Sequence, residues 1–135
     1  MIIETILSAG QKLFDLRGEL SSAKQARKQQ VAEYLAAIAQ TIDEASASLK
    51  QGTPPYGKCQ ELLRHSQQME AAIGDLIGVH EAGDLGRQLR EAWEIERLYG
   101  ELDSAAPTER ERKLSVLDQA AGLFRATAAF VRVSP

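Results

Sequence analysis

The chain has 135 residues, of which 44% are hydrophobic, 26% charged and only 5% aromatic. This length fits one domain, and the balance of apolar and charged residues argues against a disordered chain. The formal net charge of −3 argues against a dedicated nucleic-acid-binding protein, whose affinity comes mainly from clustered cations.

The single cysteine, Cys59, excludes an intramolecular disulfide, and it favours a reducing, cytoplasmic location. No stretch approaches the ~18 uninterrupted apolar residues of a conventional membrane-spanning helix. The first residues also lack the organisation of a signal peptide, because Glu4 interrupts the apolar run and no cationic region precedes it.

The first segment, residues 2 to about 22, has the spacing of an amphipathic helix. Its main apolar row advances by alternating steps of four and three: Ile2, Ile6, Ala9, Leu13, Leu16 and Leu20. A second row widens the apolar face beyond what one helix contact needs: Ile3, Leu7, Gly10 and Phe14. The spacing therefore predicts either a helix wedged between several neighbours or a helix that packs in one state and inserts into a membrane in another.

A second helix is predicted by an apolar row that is out of step with the first: Val31, Leu35, Ile38, Ile42, Ala45 and Leu49. We expect a turn near Ser21 and Ser22, whose hydroxyls can cap the new helix. The stretch KQGTPPYG ends this helix, because glycine terminates helices and paired prolines cannot continue one.

Three further helices follow. The third has apolar residues from Cys59 to Ile77, and the fourth, from Leu85 to Leu102, is expected to be capped by Asp84. The last is expected to begin at Thr108, which has the spacing of a capping box with Glu111. These segments predict an all-α fold: an up-and-down four-helix bundle with an additional C-terminal bracing helix. We expect a single domain over residues 1–135, with a core of 1–103 and a C-terminal helix at about 108–132, compatible with the N-terminal part of a longer protein.

Reactive groups are sparse, and the sequence favours a non-enzyme without metal or cofactor. Cys59 and His65 are six residues apart, which directs them to different sides of a helix, and no second Cys/His pair completes a zinc site. His65 is not followed by the lysine and glycine usual in a histidine phosphotransfer module. The carboxylates near Glu94 lack the Glu-x-x-His pattern of di-iron bundles.

Two basic groups remain, KQARK with Lys24, Arg27 and Lys28, and RERK at 110–113. The simplest explanation of either group is that its charged side chains keep the exposed face of a helix soluble. Cations beside an apolar amphipathic helix also contribute roughly 1 kcal/mol each of attraction to an anionic membrane, and the first group is the better candidate because acids dilute the second.

The stretches IIETILSAGQKLFDL, EYLAAIAQTIDEASASL and KQGTPPYGKCQELL resemble the HeLo-like family of cell-death bundles, which includes the N-terminal domain of mixed lineage kinase domain-like protein. The resemblance covers about residues 1–102 and depends on helix lengths, helix order and the hydrophobic first helix. It implies a cytoplasmic bundle held inactive until an upstream signalling protein or fused domain triggers self-association and membrane permeabilisation. Ile2, Ile3, Ile6 and Leu7 would then insert into the membrane, and Lys24, Arg27 and Lys28 would bind anionic lipids. The alternative is a signalling adaptor or oligomerisation module, in which the surplus apolar surface contacts another protein chain.

Overall fold

A computed structural model describes residues 2–135, apart from the side chains of Ile2, Ile95 and Glu96. Within this part of the chain there are eight α-helices and no strands: α1 Ile2–Asp15, α2 Arg17–Leu20, α3 Gln25–Lys50, α4 Tyr56–Gln67, α5 Met69–Ile77, α6 Val79–Ala92, α7 Ile95–Asp103 and α8 Pro107–Val133. The all-α prediction is confirmed. Three of the five predicted segments are divided into two helices each.

The break between α2 and α3 differs from the predicted serine cap. Lys24 is the N-cap residue of α3, with extended backbone angles and no side-chain capping bond. Ser21 Oγ donates instead to the carbonyl of Arg17 at 2.8 Å, and Ser22 Oγ donates to that of Glu19 at 2.6 Å. The prediction was wrong because both hydroxyls turn back to the carbonyls of α2, a local bond that competes with capping.

The third and fourth segments meet at Gly78 rather than at Asp84. Gly78 has a φ of 101°, a conformation that favours glycine, and it separates α5 from α6. Helix α6 therefore begins at Val79, and Asp84 lies inside it, where its carboxylate accepts a bond from Arg87 at 3.0 Å. The predicted Asp84 cap was wrong because the glycine ends the preceding helix six residues earlier.

Helix α8 also begins earlier than the predicted capping box. Its N-cap is Ala106, which makes no side-chain capping bond, and Pro107 occupies the first turn. Proline suits this position because its fixed φ is helical and the missing N–H would have no partner there. Thr108 is consequently already inside the helix.

The long helices α3 and α8 form the centre of the fold. Helix α8 packs most extensively along α3 and then along α1, while α6 packs against α5, α1 and α4. The 27-residue α8 contributes to the same hydrophobic core as the preceding helices, with Leu117, Phe124 and Val131 fully buried. The core thus extends over the whole length of α8, with α1 and α3 on either side.

Candidate functional site

The apolar residues predicted to insert into a membrane lie at the start of α1, inside the bundle. Ile3 and Ile6 are 0% exposed, and Leu7 is half-buried against the core. The side chain of Ile2 lies outside the described residues. In this conformation the described members of the set are packing residues, so insertion into a lipid bilayer would require α1 to leave its neighbours.

A close approach of two helices fixes the middle of α1. A Cβ atom placed on Gly10 would lie 3.3 Å from Leu123 Cβ and 3.4 Å from the Phe124 ring. Because Gly10 has no side chain, α1 and α8 can pack closely at this point. This contact continues the buried row that starts at Ile3.

The three cations predicted to bind lipids have different surroundings. Lys24 is exposed at the N-cap of α3. Arg27 donates to the Ala72 carbonyl at 2.8 Å and to Asp75 Oδ1 at 2.6 Å, and this hydrogen bond lowers the pKa of the Asp75 carboxyl. Lys28 is 4% exposed, and its Nζ donates to the backbone oxygens of Ser134 at 3.1 Å and Pro135 at 2.8 Å. Of the three cations, Lys24 is the exposed one, whereas Arg27 is half-buried and Lys28 is buried.

The end of the bundle that bears these lysines also exposes large apolar side chains. Phe130 is 40% exposed and Val133 78% exposed, both in the last turns of α8. The guanidinium of Arg17 lies 4.2 Å from the ring centroid of Phe14 and 5.3 Å from that of Phe130. We call the surface formed by Phe14, Arg17, Lys24, Phe130, Arg132 and Val133 the cationic end.

Contacts from α8 back to the start of the chain hold the cationic end together. Ser134 Oγ donates to Ser21 Oγ at 3.2 Å, next to the contacts of Lys28. Residues 13–30 and 126–135, which meet here, carry five basic and two acidic side chains, the latter being Asp15 and Glu19. Because Arg27 is paired with Asp75 and Lys28 is buried, the cations of this surface are Arg17, Lys24 and Arg132, whereas the whole chain has a net charge of −3. Acidic and basic residues are thus unevenly distributed over the molecule.

The sequence pointed to Lys24 as a candidate lipid-binding residue, but it did not predict that the end of α8 contributes to the same surface. A weak signal was present, since residues 119–135 contain Arg125 and Arg132 and no acidic residue. The pairing of Phe14 with Phe130 around Arg17 could not be found in this way, because more than 100 positions of sequence separate the two rings.

A separate groove of about 960 Å³ lies between α3 and α5. Its lining includes the Arg27–Asp75 ion pair, the side chains of Tyr34 and Ala72, and Val79, which is 60% exposed. Arg27 therefore belongs to the wall of this groove rather than to the cationic end.

The two candidate reactive side chains, Cys59 and His65, both lie on α4. Cys59 is buried, and burial raises the pKa of its thiol to about 11. Burial also lowers the pKa of the His65 imidazole, whose ring makes an edge contact with Tyr34 at 6.0 Å between centroids. Among the described residues, no group of three or more His, Cys, Asp or Glu side chains is placed to hold a metal ion.

Comparison of the chain with protein-family models, curated proteins and solved structures returned no match. Among the described helices, none combines the length and apolarity needed to cross a bilayer.

Proposed function

We propose that this chain is a non-enzymatic, membrane-targeting helical bundle that binds anionic lipid surfaces through its cationic end. The observation that carries the proposal is the exposure of Phe130 and Val133 beside Arg17, Lys24 and Arg132. Exposed aromatic and aliphatic side chains enter the lipid headgroup region, and neighbouring cations are attracted to anionic lipids. In architectural terms, we propose that α8 braces the arrangement of α1–α2, α3, α4–α5 and α6–α7 from within, by packing against both α3 and α1.

The energetics favour reversible binding. Each cation near an anionic surface contributes about 1 kcal/mol, so Arg17, Lys24 and Arg132 together provide only a few kcal/mol before apolar contacts are added. Self-association would multiply these contacts and convert weak binding into stable attachment. This supports a cytoplasmic protein that becomes peripheral to a membrane when an upstream signalling protein, or a fused domain, promotes assembly.

A cell-death effector role adds a second step, in which α1 leaves the bundle and inserts. That step would expose Ile3, Ile6 and Leu13, each of which contributes about 1.5–3 kcal/mol by being buried. Insertion must therefore be coupled to lipid binding or to self-association. The packed α1 supports a resting state in which the inserting residues are protected from solvent.

Cosedimentation with vesicles tests lipid binding. We expect the protein to pellet with vesicles of phosphatidylserine and phosphatidylcholine, and less with phosphatidylcholine alone. Phe130→Ser/Val133→Ser should weaken binding about tenfold by removing apolar contacts. The matched control is Tyr56→Ser, because Tyr56 is 65% exposed at the start of α4. Equal binding to both vesicle types, or equal losses in the variant and the control, would contradict the proposal.

A disulfide lock tests whether α1 must move. In a Cys59→Ala background, Gly10→Cys/Leu123→Cys brings two Cβ atoms to about the separation found in disulfides, after a shift of a few tenths of an ångström. We expect oxidised protein to bind vesicles without releasing an entrapped dye, and reduction to restore release. Release by the fully oxidised protein would rule out insertion of α1.

The groove between α3 and α5 favours a second candidate function, an adaptor that binds another protein chain by helix–helix contacts. Its exposed Val79 and the small side chain of Ala72 suit the apolar face of a helix. Light scattering coupled to size-exclusion chromatography of the protein and of Val79→Lys would test self-association here. A monomer at every concentration for both proteins would argue against this groove as a self-association surface.

A further inference from the structure

A cluster of charged side chains joins the first turn of α1 to the start of α8 and the end of α7. Lys113 of α8 has a side chain only 5% exposed, and its Nζ lies 3.0 Å from Glu101 Oε1, whose side chain is 14% exposed. This is the most buried ion pair among the described residues, in which the other pairs have at least one side chain a third or more exposed.

Glu4 connects α1 to the same cluster. Its Oε1 accepts a long bond from Arg112 Nη2 at 3.4 Å, while Arg112 also pairs with Glu109 at 2.6 Å. Burial acts to raise the pKa of Glu4, but bonds from its backbone and from Arg112, together with the charge of Lys113, lower it overall. Lys113 is therefore a buried cation that acts on carboxylates from two other helices.

Two carboxylate oxygens in the cluster are buried without a hydrogen bond from the described residues, Glu4 Oε2 and Glu101 Oε2. Neighbouring cations do not substitute for Lys113. Arg97, which lines the same cleft as Glu4 and Glu91, already pairs with Glu94 at 3.4 Å. Three carboxylates thus depend on Arg112 and Lys113, and the loss of Lys113 leaves the carboxylate of Glu101 buried without its ion-pair partner.

We propose that Glu4, Glu101, Glu109, Arg112 and Lys113 form a charge clasp that keeps α1 on α8 and controls its release. Its importance for membrane insertion rests on the proposed function, whereas its effect on α1 does not. The clasp acts through Glu4 in the first turn of α1, about 15 Å along the helix axis from Phe14 at the cationic end. The first turn of α1 can therefore separate from α8 while the cationic end remains assembled.

Hydrogen exchange of the full chain, followed by mass spectrometry, tests the clasp without a membrane. In Lys113→Met we expect α1 amides to exchange on the order of 100-fold faster, because Glu101 is left buried without its partner and Glu4 of α1 loses a nearby cation. Amides in the middle of α3 should be much less affected. The matched control is Lys50→Met, since Lys50 pairs with Asp118 at the surface with side chains 50% and 42% exposed.

Glu4→Gln provides a second variant in case Lys113→Met fails to fold, as judged by rapid reaction of the buried Cys59 thiol. This nearly isosteric change should raise α1 exchange only a few-fold, because Glu4 is partly exposed. Unchanged α1 exchange in Glu4→Gln, or equal acceleration in α1 and α3, would overturn the clasp. Faster α1 exchange with unaltered dye release would keep the clasp and overturn insertion of α1 as the membrane step.

Discussion

Gly86 of α6 lies so close to α4 that a Cβ at position 86 would stand 2.7 Å from the backbone oxygen of Ser66 and 3.3 Å from Met69 Cβ. A backbone oxygen cannot swing away as a flexible side chain can, so the crossing of these helices requires glycine. We expect Gly86→Ala to lower the free energy of unfolding by about 1–3 kcal/mol, as overpacking does, measured by urea denaturation.

The control for that experiment is Gly122→Ala. Gly122 lies inside α8, is exposed and has no atom within 4 Å of a Cβ placed there. Alanine at this position should stabilise the protein by about 0.4–1 kcal/mol, because it restricts the unfolded chain and favours helix. Equal effects at both glycines would contradict the close crossing at Gly86.

His65 should make stability depend on pH between about 7 and 5. Burial lowers the pKa of its imidazole, so the folded state favours the neutral ring and the unfolded state binds the proton more readily. The corresponding stabilisation is present above the ordinary histidine pKa and is lost as the pH falls. Urea midpoints at several pH values should therefore decrease toward pH 5, and His65→Gln should flatten the slope. A slope that persists unchanged in His65→Gln, with exposed His80→Gln as the control, would assign the effect to other groups.

Cys59 should report global unfolding. Its thiol is buried, with a pKa raised to about 11, so at pH 8 the folded protein holds almost no thiolate at this position. We expect Ellman's reagent to react slowly with the native protein and rapidly in denaturing urea. Fast reaction under native conditions would show that α4 opens locally without unfolding of the rest.

Lys24 and Arg27 provide a matched test of the lipid-binding residues. Lys24 is exposed, whereas Arg27 is paired with Asp75 and with the Ala72 carbonyl. Lys24→Gln should weaken binding to anionic vesicles about fivefold, corresponding to the ~1 kcal/mol expected per cation. Arg27→Gln should have a smaller effect, measured by the same cosedimentation assay. A larger loss in Arg27→Gln would place the lipid contact at the groove between α3 and α5 instead.

The helical class followed directly from the spacing of apolar residues. The row from Val31 to Leu49 is buried along α3, and that from Leu114 to Val131 is buried along α8. Helix ends were predicted less well, because a serine or aspartate with the right spacing has other bonds available. Ser21 and Asp84 show this, since one bonds back to α2 and the other pairs with Arg87 within α6.

The candidate site shows the same division between local and tertiary information. The sequence by itself determined that α1 carries a wide apolar face and that cations cluster near Lys24, since both properties are periodic and local. Only the tertiary structure decided that Ile3 and Ile6 are buried, that Lys28 holds the backbone of Ser134 and that Phe130 completes the surface around Arg17. Each of these outcomes depends on where α8 returns along α1 and α3, and contacts across about 100 residues are set by packing rather than by any local pattern.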